Sequence, residues 1–200
     1  MEPQAKARLG QVIGIPSWLV KRFLRHKWLL IGGALTAFVI LMFGIQLKNA
    51  LLIVLLTLAA SFSTYYKKYI KFTVGFELVT LATVLTAIAY GPFIGAIVGF
   101  VSSLAAEVIP QMIDPSSFFW IISVVVSAFA AAFLHSIGLP LFWIGMGALA
   151  VQLIISEPPR LFSGDQYLQS MAAVNIVTTL GWTVLWFRLL AEPLLTVMTG

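Results

Sequence analysis

The side chains able to do chemistry in this sequence stand inside, or at the edges of, long apolar runs. Glu77 lies early in one run, Glu107 closes another, and Gln152 and Asn175 sit within two later ones. A carboxylate at the centre of a bilayer costs about 2.5 kcal/mol or more, and less near an interface. Glu77, close to Lys71, is therefore read either as a boundary carboxylate that reaches water or pairs with lysine, or as a contact to a cationic group or partner subunit. Glu107 has the same two readings. Gln152 and Asn175 must find hydrogen-bond partners, on a neighbouring helix or on a ligand. Thr80 begins a stripe with Thr83 and Thr86, which either lines a polar cavity or bonds back to its own helix.

A second pattern concerns packing. Gly91, Gly95, Gly99 and Ser103 recur every four residues, and Glu107 continues the register. Small residues at this spacing let two helix backbones approach, so that van der Waals contact accumulates where no hydrophobic force acts between helices. The face serves either packing within the chain or docking of a partner subunit. Ser127, Ala128, Ala131 and Ala132 offer a further close-packing surface.

Catalytic patterns are missing. His135 has Ser136 beside it, but no acid is placed to orient it. There is no Gly-x-Ser-x-Gly, no His-Glu-x-x-His and no phosphate-cradling loop. The expectation is a protein that is not an enzyme. The chain has no cysteine and only two histidines, far apart, so neither a metal site nor a bound cofactor is expected.

The elements that must position these residues follow from composition. Of 200 residues, 60% are hydrophobic and 10% charged. A soluble domain carries about 25% charged residues, so most of this surface is expected to face a lipid bilayer. The pattern predicts an all-α, polytopic transmembrane helical bundle with six or seven spans. No strand alternation persists that would suit a β-barrel.

Residues 1–27 form a basic lead, expected to be cytoplasmic or interfacial, and 28–200 the transmembrane helical domain. The apolar runs fall at 28–45, 50–66, 72–90, 93–109, 118–135, 139–155 and 171–190. Gly91-Pro92, the turn-rich Pro110–Ser117, and Gly138 with Pro140 mark breaks. The cations before Trp28 and at Lys67, Lys68 and Lys71 predict a cell-membrane protein with a cytoplasmic N-terminus. The same rule ties on span count. If 93–109 crosses, Arg160 is inside and Arg188 outside; if it re-enters, the two exchange. The length of that run favours crossing. Clustered beside a span, the basic residues report topology, and no nucleic-acid partner is expected.

The stretch Phe76-Glu77-Leu78-Val79-Thr80 through Tyr90-Gly91-Pro92-Phe93-Ile94-Gly95-Ala96-Ile97-Val98-Gly99-Phe100 resembles the second and third helices of the substrate-binding membrane subunits (S components) of energy-coupling-factor transporters. The MreD family of rod-shape proteins looks similar over the same stretch. The first resemblance implies capture of a vitamin-like micronutrient, with energy from partner membrane subunits and ATPases. The second implies a scaffold without substrate. The basic lead and the additional N-terminal helix depart from both, and no binding residue carries over. The leading expectation is a small-molecule-binding membrane subunit for uptake. The alternative is a non-catalytic scaffold or accessory subunit of a larger membrane assembly.

Overall fold

The computed structural model describes residues 47–69, 75–111 and 115–200. The expected lead at 1–27 and the first apolar run at 28–45 lie outside these residues. The chain divides into two units, 1–50 and 51–200. The described structure belongs almost wholly to the second.

The described residues are all-helical, apart from turns. Helix α1 is Leu47–Ser63, followed by a 3-10 turn at Tyr65–Lys68. Helix α2 is Val79–Tyr90, α3 is Pro92–Val108, α4 is Pro115–Ser136, and α5 is Leu141–Ser156. A single helical turn, Pro158–Leu161, leads to α6, Gln166–Trp186. A π-helical turn at Phe187–Ala191 joins α6 directly to α7, Glu192–Thr199. Among the described residues, three stretches are long and apolar enough to cross a membrane: Leu47–Lys68, Ser116–Ser136 and Gln166–Thr199. Helices α2, α3 and α5 are apolar but shorter, at 12, 17 and 16 residues.

Local sequence explains the boundaries. Gly91 ends α2 and begins α3 in one step, with φ +97°, a conformation that glycine adopts without Cβ strain. Pro92 then opens α3, where its missing N–H and fixed φ suit the first helical turn. Asp165 caps α6, its Oδ1 accepting from the Tyr167 amide at 2.8 Å.

Two elements differ from their predicted lengths. The described part of the run 72–90 is helical only from Val79, because Gly75 takes φ +63° and 75–78 run as irregular chain. This backbone is tied to the bundle: the Leu78 amide donates to Ser63 Oγ at 3.0 Å. Non-helical backbone at membrane depth is tolerated where protein buries it. At the other extreme, the last helix continues past its predicted end at 190 to Thr199. Pro193 donates no N–H and its ring crowds the carbonyl four residues earlier. That carbonyl lies in the π turn at Phe187–Ala191, where the helix is already widened.

The short α2 is the centre of the bundle. Every residue from Val79 to Ala87 is buried, and α3, α4, α5, α6 and α7 all pack on it. Its Leu81, Val84 and Leu85 form one core with Ile144, Ala148 and Phe187. The polar contacts of the bundle gather at two ends. Lys67, Glu77, Glu107, Ser116 and Glu157 meet at one, here the lysine end. At the far end, Tyr90 Oη donates to the Met198 carbonyl at 3.2 Å, and Arg188 lies over the Phe142 ring at 5.3 Å. Helix α3 runs from the far end at Gly91 to the lysine end at Glu107, about 25 Å for its length.

Candidate functional site

The small-residue ladder points into the bundle. A Cβ added at Gly95 would stand 2.5 Å from Ala87 Cβ, and one at Gly99 2.9 Å from Thr83 Oγ1 and from Val124 Cγ1. Those two glycines are the places where α3 approaches α2 and α4. Ser103 is buried on the same helix and donates to the Phe100 carbonyl at 3.1 Å. Gly91 has open space around its Cβ position and serves as the α2–α3 turn. A similar close approach went unread in the sequence: Gly145 gives room for the Phe187 ring, which would lie 2.3 Å from a Cβ there.

The five polar residues singled out in the sequence all reach the lysine end or the helical turn below it. Thr80 and Glu77 share a partner. Thr80 Oγ1 donates to Gln152 Oε1 at 2.7 Å, and Gln152 Nε2 donates to Glu77 Oε1 at 3.3 Å. Gln152 is 2% exposed and bridges α5 to the start of α2. Thr83 and Thr86 instead bond back to the Val79 and Ala82 carbonyls, so the threonine stripe divides after its first member.

The segment holding Glu77 is clamped on both sides. A Cβ at Gly75 would stand 2.5 Å from the Thr179 amide nitrogen, so this chain lies directly on α6. Phe76 meets Trp182 and Trp186 edge-to-face, with ring centres 4.8 and 5.3 Å away. The two indoles stack on each other, and Tyr66 meets Phe76 from the other side.

Asn175 belongs to a second group. Its Nδ2 donates to Glu157 Oε1 at 2.9 Å, and its Oδ1 accepts from Thr179 Oγ1 at 3.3 Å. Glu157 was not singled out in the sequence. It follows α5 directly and is 2% exposed. Its Oε1 also accepts from Ser156 Oγ at 3.4 Å and faces Arg160 Nη1 at 3.8 Å. Arg160 spends its better-aligned donors elsewhere: Nε and Nη2 donate to Ser116 Oγ at 3.0 and 2.6 Å. Glu157 Oε2 is buried and has no hydrogen-bond partner among the described residues.

Glu107 is the third acid and the one with a full complement of partners. Lys67 Nζ donates to its Oε1 at 3.2 Å, and Ser117 Oγ donates to its Oε2 at 2.7 Å. The Lys67 ammonium also sits 5.0 Å from the Trp120 ring centre, a cation–π contact. Lys67, Glu107 and Glu157 all lie within electrostatic reach of Glu77.

Among the described residues, Lys67 and Arg160 thus stand against Glu107 and Glu157, while Lys68, in the same turn as Lys67, lies over the Tyr65 ring. Buried charges persist when they are paired and hydrogen-bonded. Glu107 meets that condition, Glu157 meets it on one oxygen, and Glu77 has a side-chain amide as its donor. The sequence could have pointed to Glu157 by its place: it stands two residues past an apolar run, five residues after Gln152 and three before Arg160.

Comparison with known proteins gave no match to a family model, to a curated protein or to a solved structure. The fold and the polar network stand as the basis for function.

Proposed function

We propose that this chain is an integral membrane protein of the cell membrane that binds a small molecule through the buried polar network at its lysine end, as the binding subunit of an uptake system energised by partner subunits. A single observation carries this function: three helices and the irregular chain before α2 converge Glu77, Thr80, Gln152, Glu157 and Asn175, and one carboxylate oxygen among them is buried without a donor from the described residues. A buried carboxylate oxygen calls for a donor, because leaving one unmet costs about 1–3 kcal/mol or more.

Placement in a membrane is supported by the outer surface. Leu55, Leu58 and Phe62 on α1, Phe93, Phe100 and Leu104 on α3, and Phe118, Ile122 and Phe133 on α4 are all exposed. Apolar surface on this scale is rare on a soluble monomer and ordinary in lipid. The scaffold alternative loses its main motif, because Gly95 and Gly99 are occupied by the chain's own α2 and α4.

The test is purification of the intact chain in mild detergent, followed by native mass spectrometry of bound small molecules and bound proteins. A retained small molecule, lost in a Gln152→Leu variant, is the expected result. A ligand-free protein that co-purifies in fixed ratio with a structural membrane protein would overturn the binding function in favour of a scaffold.

A further inference from the structure

The chemistry of the ligand follows from what the network lacks, given the binding function proposed above. We propose that it is an organic cation carrying N–H donors, a primary amine or an amidine, received by Glu157 Oε2 with Glu77 as the second counter-charge.

The hydrogen-bond inventory gives the first reason. Glu157's partners among the described residues all converge on Oε1: Asn175, Ser156 and, at longer range, Arg160. The other oxygen is equally buried and accepts from no described residue. An ionised carboxylate offers about four lone-pair sites and no donor, so the group that completes it must be a donor.

The charge balance gives the second. Lys67 is committed to Glu107 and to the Trp120 face. Arg160 directs its two short hydrogen bonds to Ser116 and reaches Glu157 at 3.8 Å. Glu77 is met by the neutral amide of Gln152 at 3.3 Å. Among the described residues, Glu77 is thus the one glutamate of the three with no cation within ion-pair distance. An anion is repelled there. A neutral donor fills the hydrogen bond and leaves the charge. A hard metal ion needs six or more oxygen ligands, and no group of three His, Cys, Asp or Glu side chains is placed to hold a metal among the described residues. A donor-bearing cation meets both demands, and charge-assisted N–H bonds to carboxylate are roughly twice as strong as neutral ones.

The experiment uses the full chain in neutral detergent, with thermal unfolding followed by intrinsic tryptophan fluorescence. The probes are n-butylammonium, its tetramethylammonium counterpart without N–H, butyrate, n-butanol and potassium, at matched ionic strength. The expected result is a saturable rise in melting temperature with n-butylammonium that the other four do not reproduce. Glu157→Gln should abolish it, and Glu77→Gln should raise the half-saturating concentration about tenfold, the loss of roughly 1.4 kcal/mol of interaction. Glu192→Gln, a carboxylate at the start of α7, should leave it unchanged. Should Glu157→Gln fail to fold, Glu77→Gln and the tetramethylammonium arm still decide the matter.

An equal rise with potassium would assign the site to inorganic cations and overturn the proposal, as would equal rises with butanol or butyrate. No rise with n-butylammonium overturns it too. If the mass spectrum then shows a retained neutral or anionic molecule, the binding function survives and only its cationic ligand class falls. If the spectrum is also empty, both fall.

Discussion

Lys67 Nζ lies 3.2 Å from Glu107 Oε1, joining the turn after α1 to the end of α3. Neither side chain is far from the protein interior, at 15% and 10% exposure. Removing one partner from a buried pair leaves an uncompensated charge, whereas removing both replaces the pair with apolar packing. Lys67→Met should therefore destabilise the protein by about 2–3 kcal/mol, below the range for fully buried pairs because both side chains keep some exposure. Lys67→Met with Glu107→Leu should recover most of that loss. Unfolding in mixed micelles of the two single variants and the double variant closes the cycle, and strictly additive losses would refute the coupling.

The α2–α3 approach makes a steric prediction. Gly95→Ala brings a methyl within 2.5 Å of Ala87 Cβ and 2.7 Å of its Cα, so backbone must move. Overpacking of this kind costs about 1–3 kcal/mol. Gly181→Ala, in α6 with nothing within 4 Å of the added atom, should instead gain up to about 1 kcal/mol from helix propensity. Melting temperatures that move together for the two variants would contradict the packing.

Gln152→Leu strips a donor from Glu77 and an acceptor from Thr80 in one change. Left buried and unpaired, these groups should reduce stability by about 1–3 kcal/mol. Adding Thr80→Val should restore part of the loss by removing the orphaned hydroxyl. A Gln152→Leu protein as stable as the parent would show that the bridge contributes nothing.

Topology can be read without background, because the chain contains no cysteine. Ser163→Cys, in the connection before α6, should label from the same side of the membrane as Lys68→Cys. Ser136→Cys, at the end of α4, should label from the opposite side. Labelling of the Ser136→Cys and Ser163→Cys variants from one side would exclude a crossing by the helix between them.

Much of the fold was written in the sequence at the level of elements. The apolar runs from 50 onwards each produced a helix, because runs of that length leave the backbone few other ways to satisfy its hydrogen bonds in lipid. Gly91-Pro92 fixed a turn to the residue, since both its strange φ and its missing N–H are properties of single amino acids. The shortening of α2 was not legible: the chain from Gly75 to Leu78 is held by the Thr179 backbone, the Ser63 hydroxyl and two indoles, all distant in sequence. The candidate site was half legible. Glu77, Gln152 and Asn175 stood out as polar residues in apolar runs. Glu157 was hidden beside Pro158-Pro159, which read as loop, and its isolation depends on where Arg160 and Asn175 happen to point.

The Gly91 turn has a mechanical meaning. A connection of one residue leaves α2 and α3 no slack, and Gly95 locks them together within two turns of the joint. The pair therefore forms one stiff hairpin with its joint at the far end. Glu77 lies just before one arm and Glu107 near the tip of the other. The Glu157–Asp165 connection between α5 and α6 is longer and carries its own helical turn, Pro158–Leu161. The distance between the two ends of the α2–α3 pair is set by covalent geometry at one end and by helix length along each arm.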